Sequence, residues 1–201
     1  MKRFALLILL ALALPMAAFA NNSTDFGNNG GTLSGSSAGL TLSGSMLISM
    51  GPAGAKPVTG DLGTVEFSTA GMQSGGSLQM GATFDAGGTF TITGNGTNGV
   101  HNGTIFSGTF SGPVTWTLVT LANGTHNYTL SGALSGTWYT GQTVFGATIQ
   151  ITVNTGKGFF TGSTLVSSGD TNIVVPEPGS LTLLGTGLVG LAGVVRRKLK
   201  A

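Results

Sequence analysis

Apolar and polar residues alternate one by one through most of the middle of this chain. Val114, Trp116 and Leu118 are separated by Thr115 and Thr117, and Phe90 and Ile92 sit among Thr89, Thr91 and Thr93. Ala147, Ile149, Ile151 and Val153 interleave with Thr148, Gln150, Thr152 and Asn154, while Val65 and Phe67 flank Glu66. A period of two places the apolar side chains on one face of an extended strand and the hydroxyls and amides on the other, as in antiparallel sheets with one dry face. The pattern predicts ten strands, near 39–50, 58–68, 77–84, 88–94, 103–111, 113–121, 126–134, 136–140, 143–154 and 158–166. Gly interrupts nearly every window of ten residues, so no helix is predicted in the body. Asn123-Gly124 marks a hairpin with a primed turn, and Gly94 to Gly99 reads as a longer loop.

These elements predict an all-β body, an antiparallel β-sandwich or flattened barrel. A faint internal echo keeps a β-solenoid open as the alternative. Phe106-Ser107-Gly108-Thr109-Phe110-Ser111-Gly112 matches Leu130-Ser131-Gly132-Ala133-Leu134-Ser135-Gly136, but the spacing is not kept along the chain.

The alternation stops at both ends. Residues 1–20 have a basic start (Lys2, Arg3), an apolar run from Phe4 to Leu14, and Ala18-Phe19-Ala20 before Asn21. Small residues at Ala18 and Ala20 form a signal-peptidase site, so this segment reads as a secretory signal peptide, helical while it lasts. The secreted domain then covers 21–173, and 174–201 form a separate tail.

Composition changes the picture in two ways. The whole chain carries +2, but six of its eight cations lie in the terminal segments. The body keeps Lys56 and Lys157 against Asp25, Asp61, Glu66, Asp85 and Asp170, a net charge of −3. With no basic patch to neutralise phosphates, a nucleic-acid partner is excluded. There is no cysteine, hence no disulfide, thiol nucleophile or thiolate metal site.

The tail has three parts. Pro176 and Pro178 hold Val175 and Glu177 toward extended conformations, suited to an enzyme's cleft. Ser180 to Val195 is a run of 16 residues without a charge, predicted as a transmembrane helix of roughly 24 Å. Arg196, Arg197 and Lys198 then act as a membrane stop and favour the cytoplasmic side. This arrangement resembles the PEP-CTERM sorting signal of Gram-negative bacteria, a region also labelled ice-binding protein C-terminal. The resemblance implies that Pro176, Glu177 and Pro178 are recognition residues for exosortase, a membrane-embedded transpeptidase. It also implies cleavage near them and transfer of the body to the cell surface or an exopolysaccharide matrix.

Motifs for other chemistry are weak. Gly185-Thr186-Gly187-Leu188-Val189-Gly190 matches G-x-G-x-x-G without a βαβ context, and reads as small residues in a membrane helix. His101 and His126 share an Asn-Gly context and would need to meet, with further ligands, to hold a metal; they read as loop histidines. Asp61, Glu66 and Asp85 are the candidate acids for glycoside hydrolysis, but no spacing pairs them. Thr89, Thr91 and Thr93 form a line of the kind that orders water, though no regular ladder repeats along the chain.

The expectation is therefore an exported, inner-membrane-anchored precursor that becomes a cell-surface or matrix protein. Its mature body is structural or adhesive rather than enzymatic, and needs no cofactor or metal. The partners are signal peptidase, an exosortase-type transpeptidase, the membrane, and exopolysaccharide contacted through hydroxyls, amides, Trp116, Trp138 and Tyr139. A secreted glycan hydrolase and an unprocessed membrane-held protein are the alternatives.

Overall fold

The computed structural model describes residues 22–52 and 55–175. They form twelve strands: β1 (Asn22–Asn29), β2 (Thr32–Ser36), β3 (Gly39–Pro52), β4 (Val58–Ser68), β5 (Ala82–Phe84), β6 (Gly87–Asn95), β7 (Asn102–Phe110), β8 (Val114–Thr120), β9 (His126–Trp138), β10 (Thr143–Asn154), β11 (Ser163–Leu165) and β12 (Ser168–Val175). Among the described residues the one helical element is a single 3-10 turn at Thr97–Gly99.

The registers join these twelve into eight long staves. β1 and β2 both lie along β3, with Thr24 opposite Pro52 and Ser36 opposite Gly39. β7 and β8 both lie along β9, and β5 and β6 continue one another against β8 and β7. β11 pairs with β2 while β12 pairs with β1, and backbone bonds between Gly30, Gly31 and Val166 bridge the two stretches. Each stave is hydrogen-bonded to the next in sequence, and the last returns to the first through the β12–β1 pairing. The result is a closed, eight-stranded, up-and-down antiparallel barrel. It settles the sandwich-or-barrel expectation as a barrel, and nearest-neighbour antiparallel pairing rules out the solenoid. The signal peptide and the C-terminal helix lie outside the described residues.

Four of the expected strands are corrected. Strands predicted at 126–134 and 136–140 are one strand, β9. Leu134, Gly136 and Trp138 keep the ladder through the glycine by pairing with β7. The strands expected at 77–84 and 158–166 shrink to β5 and β11. The residues before each of them are loops that cover one end of the barrel.

Eight staves enclose a lumen just wide enough for side chains to fill, and aromatic rings dominate it. Phe67, Phe90, Phe106 and Phe110 are buried and packed on one another, Phe67 meeting Phe110 edge-on at 5.8 Å. Each such buried ring contributes about 1.5–3 kcal/mol of transfer free energy, and each favourable pair about 0.5–1.5 kcal/mol more. At one end Trp116 stacks on Tyr128 at 5.0 Å and Phe160 meets it edge-on at 5.4 Å. The polar tips of this cluster hold the covering loops. Trp116 Nε1 donates to the Leu78 carbonyl (2.9 Å), Tyr128 Oη donates to the Gln79 carbonyl (2.8 Å), and the Phe160 amide donates to Tyr128 Oη (3.1 Å). This is the capped end.

Candidate functional site

An even number of antiparallel staves returns the chain to the end where it entered. β1 starts beside the β3–β4 connection, with Thr24 opposite Pro52. β12, running antiparallel to β10, finishes at Val175 at that same end. The sorting segment is thus joined to the barrel at the end opposite the loops that cover Trp116. That rim, the exit end, also carries the Thr97–Gly99 turn and the β9–β10 hairpin.

A cleft of about 380 Å³ opens on the exit rim between Met50, Pro52, Val58, Val100, Trp138 and Tyr139. Its floor is Trp138, held edge-on by Phe26 at 5.9 Å. Tyr139 leans over Trp138 at 5.4 Å and stacks on the His101 imidazole at 4.5 Å. The β9–β10 turn is fixed by the Trp138 amide donating to the Gln142 carbonyl, and Tyr139 by its amide donating to Ile105.

The outer wall of the barrel is the second feature. Register aligns outward residues into rows that cross several strands. Thr117 faces Thr129, Thr129 faces Thr152, and Thr152 faces Ser168. Thr83, Thr115, Ser131, Gln150 and Asp170 form a neighbouring row across five strands. Neighbours within a row lie about 4.8 Å apart across paired strands and the two rows about 6.7 Å apart along them, so hydroxyls, an amide and one carboxylate make a regular polar grid. A shallow groove of about 400 Å³ lies within it, lined by Ser131, Gly132, Thr148, Ile149, Gln150 and Asp170. These rows were invisible along the chain because each takes one residue from each strand, and only the register brings them together.

The three candidate acids do not come together as a carboxylate pair, as their spacing leads one to expect. All three are exposed: Asp61 and Glu66 lie five residues apart on β4, and Asp85 lies in the connection between β5 and β6. Asp61 accepts from Asn95 Nδ2, Asp85 accepts from Gln73 Nε2 at 2.9 Å, and Glu66 lies opposite Thr91. The pair brought together is Asp25 and Asp170, across the β1–β12 seam. Partial burial and then the Asp25 charge raise the Asp170 carboxyl above the ordinary carboxylate value. Asn172 Nδ2 donates to Asp25 on the same seam.

The two histidines lie at opposite ends. His101 is on the exit rim, whereas His126 begins β9 at the capped end. There it is 9% exposed, stacked on Phe159 at 4.4 Å, with Nδ1 3.1 Å from the Gly158 carbonyl. His126 is a packed residue rather than a loop histidine. Among the described residues no three His, Cys, Asp or Glu side chains gather as a metal set. Of the aromatic residues expected to meet polysaccharide, Trp116 is 1% and Trp138 8% exposed; Tyr139 alone, at 49%, offers its ring. Trp116 and Trp138 are core residues because even a barrel lumen of this width needs large side chains to fill it. Ala18, Ala20, Pro176, Glu177, Pro178, Arg196, Arg197 and Lys198 lie outside the described residues.

Fold and tail together define a closed β-barrel that carries a C-terminal sorting segment. Residues 174–198 match the PEP-CTERM protein-sorting motif. That motif implies an exported protein sorted through exosortase, as the resemblance of the tail suggests. No curated protein and no solved structure matches the chain.

Proposed function

We propose that the chain is a structural or adhesive protein of the cell surface or exopolysaccharide matrix, non-enzymatic, delivered there after cleavage near Pro176, Glu177 and Pro178. In the precursor, residues 181–195 hold it in the inner membrane, and Arg196, Arg197 and Lys198 stop transfer. The observation that carries the reading is the matched sorting motif, joined to the barrel where β12 ends. The body's contribution is its wall. A low-charge grid of hydroxyls and amides complements the hydroxyl-rich surface of a polysaccharide, and the filled lumen makes the barrel a rigid support for it.

The hydrolase alternative is less well supported. Its acids need to flank a scissile bond within a cleft, whereas Asp25 and Asp170 sit on the outer face of the seam, with Asp25 engaged by Asn172.

The test is co-sedimentation of the protein with exopolysaccharide purified from its own source. A Thr117→Val, Thr129→Val, Thr152→Val variant removes three hydroxyls, each worth about 0.5–1.5 kcal/mol as a hydrogen bond, and should weaken binding by about tenfold or more. Equal binding by the variant and the parent would remove the wall from the account. No binding by either would remove the adhesive role.

A further inference from the structure

Phe145 is 78% exposed, the most exposed large apolar residue described. It sits in a break of the β9–β10 register, between Val144 and Ala147, both of which turn inward. Such a bulge re-aims a side chain away from the barrel. Phe145 also lies where the chain leaves the barrel: a Cβ on the adjacent Gly146 would stand 3.7 Å from the Val174 Cβ. Around the same rim Tyr139 is 49% and Val58 39% exposed, with Pro57 exposed beside Val58.

We propose that in the uncut precursor this rim rests in the headgroup layer of the bilayer, with Phe145 and Tyr139 as its principal contacts. The proposal rests on the anchoring reading above. Only residues 176–180 separate Val175 from the apolar run that starts at Leu181. Fully extended, those six steps span about 20 Å, and Pro176 and Pro178 restrict how they fold back. The capped end is farther away. β9 alone has 13 residues, about 43 Å along its axis and about 30 Å of barrel height at an ordinary strand tilt. The tether thus brings the exit rim to the lipid and leaves exposed Met80, at the capped end, beyond it. A Tyr ring with its polar tip settles at the membrane–water boundary, and an exposed Phe beside it adds apolar area buried at the headgroup–acyl boundary. Cutting at the Pro-Glu-Pro element would release the rim together with the barrel.

The chain contains no cysteine, which permits single-site labelling. Full-length protein bearing Thr143→Cys or Met80→Cys is labelled with an environment-sensitive fluorophore. It is then reconstituted into phosphatidylethanolamine–phosphatidylglycerol vesicles containing a headgroup-level spin-labelled lipid. The label at 143 should shift to the blue and be quenched several-fold more than the label at 80. Adding Phe145→Ser and Tyr139→Ser to the 143 protein should reduce its quenching to the level at 80. The proposal is overturned if the chain floats with the vesicles yet the two sites quench alike, or if the double substitution changes nothing. Failure of the chain to float overturns the anchoring reading, and this proposal with it.

Discussion

At the scale of single residues, the capped end depends on one phenol. Tyr128 Oη donates to the Gln79 carbonyl and accepts from the Phe160 amide, so it ties both covering loops to the core. Its ring is fully buried. Tyr128→Phe keeps the ring and orphans both partners, so it should destabilise the protein by about 1–3 kcal/mol. Chemical denaturation measures the loss, and hydrogen exchange should show the Phe160 amide opening faster than the amides of β4. An unchanged midpoint would mean that the loops are held by apolar packing alone. Apolar residues such as Phe90 and Ile92 could be placed inside from sequence, because alternation reports facing directly. Tyr128 could be placed there too, but its two bonds could not, since they join residues 49 and 32 positions away.

At the scale of elements, the strands that close the barrel were the ones the alternating pattern did not reveal. β1 has Phe26 and Asn28 pointing inward, and β12 has Gly169, Thr171 and Ile173 in the same line. Polar and small residues break the apolar period there, yet each has a packing reason. A Cβ at Gly169 would meet Asn28 Oδ1 at 2.3 Å, so glycine makes room for the buried amide. Asn28 Nδ2 in turn donates to Ser45 Oγ at 2.7 Å. Without these two strands the remaining staves read as an open sheet, which is why sandwich and barrel could not be separated from sequence.

The same seam makes stability depend on pH. The Asp170 carboxyl is raised above its unfolded value by burial and then by Asp25. The folded state therefore binds that proton more tightly than the unfolded chain, and stability falls as pH rises through the raised value. Asp170→Asn should melt higher than the parent at neutral pH, and the difference should vanish near about pH 3, where the carboxyl is protonated in both states. Thermal melts at the two pH values decide it; a parent that is the more stable at pH 7 would show that the ionised carboxylate has a favourable partner on the seam.

At the scale of the whole molecule, an even-numbered meander joins topology to delivery. The stave that β1 begins and the stave that β12 ends are neighbours, so the barrel is entered and left at one rim, and the opposite end and the wall are free for contacts. The sorting motif at 174–198 overlaps the last two residues of β12, so the segment to be cut starts where sheet pairing stops. Intact-mass analysis of the cell-surface, membrane and cytosolic fractions tests this most directly. The account predicts surface material that starts at Asn21 and lacks the apolar run 181–195, with a longer precursor in the membrane fraction. A full-length chain of 20.0 kDa in the surface fraction, or folded in the cytosol with both terminal segments intact, would contradict it.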